Sequence, residues 1–381
     1  DCVEGHSIRT MRVSVLAPLR LACLLLALTP RCWSHEPWVG SRLGTEKYNR
    51  EIDAIDQAKI DYKWAMAGKP RKPLLCVTFL AASLEIPKTL LRNMEIMGSS
   101  CQWAIVMYDG NEAEVKAVCS HVEVATQTVL CLRSVDSISL EKKSTPKTVL
   151  YQSLLPVLPD FEKVFLMDED ISLEGFDSTI FMKIWSCAFK QRPLIVQPLV
   201  VESNQFLVYV NEKPWREAPW DDVDASRVGY IEQQVPLFDS IFFEWFVKRV
   251  LSQTKQWSME YGIDWGHDRS WCNAAQMYAR DVLHWPIVRN ATEGQVPQTA
   301  PPCALITQQG TGVHHLNGKT MRIIRGNVAI FRKHAFMVVQ KYVLLFPTWV
   351  GMDMLEPNNP LSEANKHKFE QVRALNGTCA R

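Results

Sequence analysis

Three consecutive carboxylates, Asp168, Glu169 and Asp170, carry the strongest chemical signal in the sequence. They directly follow the apolar run 164–167, a pattern typical of a buried strand that ends in an acidic turn. Like charges packed at a strand end raise one another's pKa unless a cation neutralises them. Because all the donors are oxygen atoms, a hard ion such as Mn²⁺ or Mg²⁺ is favoured. The triplet predicts a divalent-metal site, with a solvated turn that caps the next helix as the alternative.

The triplet lies within an alternation of apolar runs and amphipathic segments that predicts βαβ units. The predicted strands are 74–82, 103–108, 126–132, 163–167 and 194–201, and the predicted helices are 87–97, 111–122, 145–158 and 178–190. This order predicts an open α/β sheet with helices on both faces and ligands beyond the carboxyl ends of the strands. Further downstream, the pattern predicts helices at 240–250 and 268–279, a strand at 282–288, and long specificity loops at 202–229 and 290–312.

The amino-terminal region predicts a leader at 1–34, a helical stem at 35–73, a catalytic domain at 74–345 and a tail at 346–381. Residues 1–10 precede Met11 and have the character of an artefactual start. The apolar run Leu21–Leu28 follows the basic residues Arg12 and Arg20, which is typical of a signal peptide. An uncleaved membrane anchor and a buried helix of a cytosolic protein are the alternatives.

The net charge and the cysteine content indicate which partners and which cellular compartment the sequence favours. Forty-two basic and forty-one acidic residues leave a net charge of +1, which argues against a nucleic-acid partner. The sequons at Asn290 and Asn376 and the eleven cysteines favour the secretory pathway, in the Golgi or the ER lumen, or secretion. Nine cysteines remain after Cys2 and Cys23 are set aside, so we expect some disulfides, at least one free thiol and no zinc framework.

An aspartate pair at the end of a strand, about a hundred residues into an α/β domain, resembles the DxD metal motif of GT-A glycosyltransferases. More narrowly, the chain resembles a plant and algal glycosyltransferase-like family catalogued as a domain of unknown function. The resemblance covers 74 to about 316 and rests on five segments in a preserved order. These segments are Tyr108–Asn111, the stretch 164–177, Ile195–Pro198, Ile231–Phe238 and the WGxD-containing stretch Asp264–Asp268.

The resemblance implies a GT-A-like α/β fold with a mixed, mainly parallel sheet flanked by helices. It also implies a UDP- or GDP-sugar donor, a glycan or glycoprotein acceptor, and Mn²⁺ or Mg²⁺. Asp168 would meet the donor ribose or the metal, and Asp170 would bind the metal. Asp109 would contact the nucleotide, and Lys147 the diphosphate, with Lys143 as a competitor for that role. Glu169 lies in the donor site, where we expect it to orient its neighbours.

Two downstream segments complete the predicted site. Asp264, Trp265 and Gly266 combine an aromatic platform with polar groups and predict an acceptor site. Asp268 is the candidate general base, because an inverting transfer needs a carboxylate to deprotonate the attacking hydroxyl; its alternative role is a helix N-cap. The adjacent residues His314 and His315 offer one further metal ligand, as the resemblance implies, or they are structural.

The sequence therefore predicts a metal-dependent glycosyltransferase. Two alternatives remain open. Asp168 could be the nucleophile of a haloacid-dehalogenase-like phosphatase, although such enzymes place this motif on their first strand. The chain could also be a carbohydrate-binding protein that has lost turnover.

Overall fold

A computed structural model describes residues 42–82, 85–125, 129–133, 146–201, 223–261, 267–289, 298–316 and 371–373. The predicted leader, Lys143, the acceptor residues Asp264, Trp265 and Gly266, and the sequons at Asn290 and Asn376 lie outside the described residues. The predicted domain boundaries at 34 and 345 lie outside them too.

A nine-stranded sheet organises the described part of the chain. In spatial order its strands are β14 (Gln371–Arg373), β8 (Val223–Val228), β12 (Cys303–Ile306), β6 (Ile195–Pro198), β9 (Leu237–Asp239), β4 (Lys163–Met167), β1 (Leu75–Leu80), β2 (Gln102–Met107) and β3 (Val129–Arg133). Strands β8 and β9 run against the other seven. The predicted class, an α/β fold with a mixed and mainly parallel sheet, is confirmed.

Two smaller sheets lie outside the main sheet. One contains β5 (Ile171–Ser172), β13 (Val313–His315) and β7 (Val200–Val201), and the other pairs β10 (Ile287–Arg289) with β11 (Gln298–Thr299).

Helices cover both faces of the main sheet. They are α1 (Arg42–Ala67), α2 (Lys88–Met97), α3 (Glu112–Ala125), α4 (Lys147–Leu150), α5 (Ser178–Cys187), α6 (Ser240–Trp245), α7 (Lys255–Tyr261) and α8 (Asp268–Asp281). Every residue of β1 is buried, and its side chains alternate between two cores. One core includes residues of α1, α6 and α8, and the other includes residues of α2, α3 and α5. None of the described helices is both long and apolar enough to span a lipid bilayer.

Several predicted helices and strands are longer than the elements that the structure contains. The helix predicted at 145–158 is only one α-helical turn, α4, followed by 3₁₀ turns at Tyr151–Leu154 and Leu158–Asp160. Pro156 and Pro159 explain the interruption, because proline lacks the N–H that a continuous helix needs. The strand predicted at 282–288 is confined to β10, because the chain after α8 folds back with Leu283 N–H donating to Tyr278 O over 3.1 Å.

Strands β8, β9, β12 and β13 are absent from the sequence prediction. Strand β12 has only four residues and follows Pro301 and Pro302, so the composition indicates a loop. In the structure the Pro302 carbonyl accepts from Leu194 N–H over 2.8 Å and starts the pairing of β12 with β6. Proline is tolerated at such a strand start because only its carbonyl is needed there.

The predicted stem contains helix α1, and this helix packs on the α/β core. Ala54, Ile55 and Ala58 are buried, and Trp245 Nε1 of α6 donates to Ala54 O over 3.0 Å. Small residues on this face allow close approach of the two helices. The middle of α1 is therefore part of the packed core.

Disulfides reinforce the sheet. Cys76–Cys101 joins β1 to the residue before β2, Cys119–Cys131 joins α3 to β3, and Cys272–Cys303 joins α8 to β12. Cys187 is also disulfide-bonded. The expectation of some disulfides is confirmed.

The packing of α1 predicts the effect of a charge at its inner face. Ala58→Glu places a carboxylate at a fully buried position and should lower the free energy of unfolding by about 3 kcal/mol or more. Ala67→Glu is the matched control, because Ala67 is exposed on the same helix and should change stability by about 0.5 kcal/mol or less. Urea unfolding and limited proteolysis within α1 measure both variants. Equal stability of the two would mean that α1 does not dock on the core.

Candidate functional site

The acidic triplet lies at the carboxyl end of β4, between β1 and β9 in the main sheet. Asp168 N–H donates to Gln234 O over 3.0 Å, and Ile171 N–H donates back to Asp168 O over 3.1 Å, which closes a tight turn. The carboxylates of Asp168 and Asp170 are 15% and 20% exposed, whereas Glu169 is exposed. The triplet therefore consists of two partly buried aspartates, Asp168 and Asp170, with the exposed Glu169 between them.

Lys147 forms an ion pair with Asp168. The three residues after Lys147 are buried, so the helix start that carries its ammonium group is fixed in the core. Burial raises the pKa of Asp168, and the charge of Lys147 opposes this rise. Burial lowers the pKa of Lys147, but the charge and hydrogen bond of Asp168, with the charges of Glu169 and Asp170, raise this pKa by more, so the net shift is upward. Lys147 thus supplies part of the positive charge that the buried Asp168 carboxylate needs.

His315 meets Asp170 at the other end of the triplet. Strand β13 pairs antiparallel with β5, so His315 lies opposite Ile171, and Leu316 N–H donates to Asp170 O over 2.9 Å. The His315 Nε2 atom is 3.3 Å from Asp170 Oδ1, and its side chain is 4% exposed. Adjacent strand residues point to opposite faces, so His314 faces away from this contact. Of the two predicted histidines, the structure brings His315 to the triplet.

The distance between these two atoms suits a shared ion. Ligands at right angles around Mg²⁺ or Mn²⁺, each about 2.1 Å from the ion, are about 3.0 Å apart. Asp170 and His315 therefore fit as two protein ligands. Among the residues that the structure describes, no group of three or more histidine, cysteine, aspartate or glutamate side chains is arranged to hold a metal. A metal held by one or two side chains together with ligand phosphates remains consistent with this geometry.

Asn93 of α2 holds the turn after the triplet, and the sequence analysis missed it. Its Nδ2 donates to Ile171 O over 2.7 Å, and its Oδ1 accepts from Leu173 N–H over 2.8 Å. Asn93 is 3% exposed and lies on the face of α2 that also buries Leu90, Met94 and Met97. A polar residue within an apolar helical stripe is the signal that could have revealed this clamp.

A cleft opens beside Glu169 at the carboxyl ends of β1 and β2. It is shallow, with a cavity volume of about 40 Å³, and is lined by Leu80, Ala81, Glu85, Ile86, Pro87, Tyr108, Val118 and Glu169. Burial raises the pKa of Tyr108 to about 12, with further contributions from Glu169 and Asp109. Glu85 and Glu169 contribute carboxylates to the otherwise mostly apolar lining, and the predicted nucleotide residue Asp109 directly follows Tyr108 in the chain.

The turn after β2 depends on Gly110 and Asn111. Gly110 has φ +88°, and a Cβ there would lie 2.6 Å from the Ala82 Cβ, so the turn needs glycine. Asn111 Oδ1 accepts from the N–H groups of Ala113 and Glu114, and Asn111 N–H donates to Glu114 Oε2 over 2.7 Å. This capping box starts α3 and fixes the segment that carries Asp109.

A bridging segment, Tyr230–Gln234, connects the triplet to the predicted base. Tyr230 Oη donates to Asp268 Oδ2 over 2.6 Å, and Gln234 O accepts from Asp168 N–H. Between them, Glu232 N–H donates to Gln197 Oε1 of β6 over 2.9 Å. Three of the sequence segments that carry the family resemblance therefore contact one another, although the sequence analysis assigned roles to neither Tyr230 nor Gln197.

Asp268 is the first residue of α8, and the N-cap position belongs to His267. The proposed alternative for Asp268, an N-cap, is therefore wrong: its carboxylate accepts from Tyr230 instead. His267 is fully buried and lies 3.0 Å from Ser258 Oγ through Nε2. This contact anchors the start of α8 and with it the position of Asp268.

The chain matches no protein-family model, and no curated protein matches its sequence. Solved structures with a similar arrangement of elements include the galactosyltransferase LgtC in complex with donor and acceptor sugar analogues, at 11% identity and a TM-score of 0.30. The alignment covers 49% of this chain and 64% of LgtC, so the chain spans slightly less than two thirds of that protein.

Two further neighbours are covered more completely. Glucosyl-3-phosphoglycerate synthase from Mycobacterium tuberculosis, in complex with Mn²⁺, UDP and glucosyl-3-phosphoglycerate, has 9% identity, a TM-score of 0.34 and coverage of 78% of this chain and 85% of the synthase. Residues 1–349 of S. aureus TarS have 8% identity, a TM-score of 0.33 and coverage of 77% and 73%. At these identities and TM-scores, the activities of the neighbours are not evidence for the activity of this chain.

The pairing of Lys147 with Asp168 predicts a coupled effect on stability. Lys147→Gln leaves a largely buried carboxylate without its cation and should cost about 1–3 kcal/mol in the free energy of unfolding. Adding Asp168→Asn should recover part of this loss, because the unpaired charge is removed. Lys59→Gln, which breaks an exposed pair with Asp56 on α1, is the control and should cost about 0.5 kcal/mol or less. Strictly additive effects in urea unfolding would contradict the coupling.

Proposed function

We propose that this protein is a metal-dependent glycosyltransferase that moves a sugar from a nucleoside-diphosphate sugar to a hydroxyl acceptor. One observation supports this proposal most: Lys147, Asp168, Asp170 and His315 meet at the carboxyl edge of the sheet. A cleft bordered by Glu169 opens beside them. An ammonium group and two potential metal ligands next to a mostly apolar cleft suit a ligand with a flat base and a diphosphate.

The donor would lie across the ends of β1, β2 and β4. Its base would enter the cleft between Ile86 and Tyr108, and Asp109 would accept hydrogen bonds from the base or ribose. Lys147 would then serve two anions, the Asp168 carboxylate and a diphosphate oxygen, since an ammonium has three donors. Lys147 would thereby orient the leaving group toward the triplet.

Asp170 and His315 would hold Mn²⁺ or Mg²⁺ together with diphosphate oxygens. When bound, such an ion stabilises the negative charge that develops on the departing diphosphate. The protein prepares this position by fixing Asp170 through Leu316 N–H and by burying His315 in β13. Asn93 adds rigidity, because it fixes the backbone that follows Asp170.

Asp268 would accept the proton of the attacking hydroxyl at one carboxylate oxygen while Tyr230 Oη holds Oδ2. A hydrogen bond to a carboxylate favours its charged form, so Tyr230 keeps the base ready to accept a proton. The bridging segment supports this role, because it connects Asp268 to Asp168 through one short stretch of backbone. The acceptor would approach near the predicted residues Asp264, Trp265 and Gly266.

We also propose that the protein works in the secretory pathway. The disulfides Cys76–Cys101, Cys119–Cys131 and Cys272–Cys303 support this setting, because such bonds persist in oxidising compartments. The predicted leader and the sequons at Asn290 and Asn376 point to the same setting. The proposal includes retention of the protein at the membrane by the predicted leader. It also includes a glycoprotein as the acceptor.

The phosphatase alternative is less favoured. Asp168 would have to attack phosphorus, yet its carboxylate is 15% exposed and paired with Lys147. It also follows the fourth strand in chain order, after β1, β2 and β3. The non-catalytic alternative predicts donor binding without turnover.

Nucleotide binding tests the donor and metal sites together. UDP or GDP at about a hundredfold excess over Kd should raise the unfolding temperature by about 5 °C in the presence of Mn²⁺, and by less without it. Asp170→Asn and His315→Gln should each remove the Mn²⁺-dependent part of the rise, whereas His121→Gln, at an exposed site on α3, should retain it. No stabilisation by either nucleotide, combined with phosphomonoester hydrolysis that Asp168→Asn abolishes, would favour the phosphatase.

Release of the nucleoside diphosphate during transfer tests the base. Asp268→Asn should lower kcat about a hundredfold or more while donor affinity stays unchanged. Tyr230→Phe should lower kcat by a smaller factor, because the Asp268 carboxylate loses the hydroxyl group that holds its Oδ2 atom. Tyr62→Phe, in α1, is the matched control. An unchanged kcat in Asp268→Asn would exclude Asp268 as the base, and an unfolded Asp268→Asn would assign it a structural role.

A further inference from the structure

Gln197 of β6 is a buried polar residue that the proposed mechanism does not use. It is 5% exposed, and its Oε1 atom accepts from Glu232 N–H over 2.9 Å. This contact fixes the orientation of the side-chain amide, because only its oxygen atom can accept a hydrogen bond. The Nε2 atom, which carries two N–H donors, is therefore turned away from Glu232 N.

The two donors of Gln197 Nε2 are not used within the protein. In the described ranges this atom has no acceptor, yet it is not sealed from solvent. Buried polar groups normally have a partner, because an unpaired one loses its hydration without compensation. A nearly buried amide with a fixed, unused donor therefore suits a ligand that places an oxygen atom beside it.

Gln197 lies on the same face of the main sheet as the predicted base. Ile195, two positions earlier in β6, belongs to the core that includes residues of α6 and α8. Residues two positions apart in a strand point to the same face, so Gln197 lies on the α8 side of the sheet. Leu166, two positions before Asp168 in β4, belongs to the same core. Asp268, at the start of α8, completes this side of the site.

The bridging segment places Gln197 between the two ends of the proposed reaction centre. One end of the segment bonds Asp168, and the other end bonds Asp268. Glu232, the middle residue, bonds Gln197. The first and last Cα atoms of the segment are at most about 14 Å apart, because an extended chain advances about 3.5 Å per residue.

We propose that Gln197 donates a hydrogen bond from Nε2 to a hydroxyl group of the transferred sugar and thereby selects the donor. The sugar has to lie between the leaving diphosphate and the base, because the reacting atoms must be in contact. Lys147 and Asp268 define these two positions in the proposed function, on which this inference rests. Gln197 is the buried side chain that the bridging segment holds between them.

The chemistry of the amide defines the group that it recognises. Because Oε1 is engaged by Glu232 N–H, Gln197 offers a ligand donors and no acceptor. A sugar hydroxyl can accept from Nε2 through its oxygen atom. A sugar with an apolar substituent at the same position would leave the amide unpaired, and such a site rejects an analogue that lacks the hydroxyl.

Binding of nucleotide sugars to the full chain tests the role of Gln197. Titration calorimetry in the presence of Mn²⁺ compares UDP with UDP-glucose and UDP-galactose, and GDP with GDP-mannose. At least one of these conjugates should bind the wild type more tightly than its free diphosphate. Gln197→Met, which removes both polar atoms, should weaken binding of that conjugate about tenfold and leave the affinity for the diphosphate unchanged. Gln197→Glu should do the same, because it keeps an oxygen atom for Glu232 N–H and removes the outward NH₂ group.

Gln276 of α8 provides matched controls. It is 7% exposed, and its Nε2 donates to Thr299 O over 3.1 Å and to Thr299 Oγ1 over 2.8 Å. It lies about 12 Å along the helix from Asp268, at about 1.5 Å per residue. Gln276→Met and Gln276→Glu should lower the free energy of unfolding but leave the affinities for the conjugates and the diphosphates unchanged.

The outcomes separate the role of Gln197 from the proposed function. Conjugates that bind both Gln197 variants as tightly as the wild type would overturn this role, as would conjugates that bind the wild type no more tightly than the free diphosphates. An equal loss of affinity for conjugates and diphosphates would assign Gln197 a structural role instead. If neither UDP nor GDP binds the wild type with Mn²⁺, the proposed transferase function itself fails, and the role of Gln197 fails with it.

Discussion

The ion pair of Lys147 with Asp168 is the interaction on which the geometry of the candidate site depends. A carboxylate at the end of β4 is largely removed from water, and burial raises its pKa, so a cation nearby is required to keep it charged. The helical turn α4 supplies this cation and is fixed by the core residues that follow Lys147. Because Lys147 is paired with Asp168, the side chain of His315 is the one that contacts Asp170.

Backbone hydrogen bonds also hold the site together. Asp168 N–H is tied to Gln234 O, and Asp170 O accepts from Leu316 N–H, so the triplet is fixed from two distant parts of the chain. The bridging segment then also fixes Asp268, because Tyr230 Oη donates a hydrogen bond to its carboxylate. A polar centre built in this way can be rigid while its charged side chains stay available to a ligand.

Helix α1 contributes to the core that supports the candidate site. Its inner face packs on α6 through Ala54 and Trp245, and α6 follows β9, the strand next to β4. A helix predicted as a stem is thus part of the structure that supports the sheet.

The sequence by itself determined the α/β class, the strands β1, β2 and β4, the triplet and the histidine pair, because these depend on local periodicity and on charges adjacent in the chain. It did not determine β8, β9, β12 and β13, which are short and owe their form to partners far away in sequence. Only the tertiary structure chose His315 over His314, paired Lys147 with Asp168, and revealed Asn93 and Tyr230. Each of these contacts joins residues at least 20 positions apart, and local pattern contains no information about such pairing.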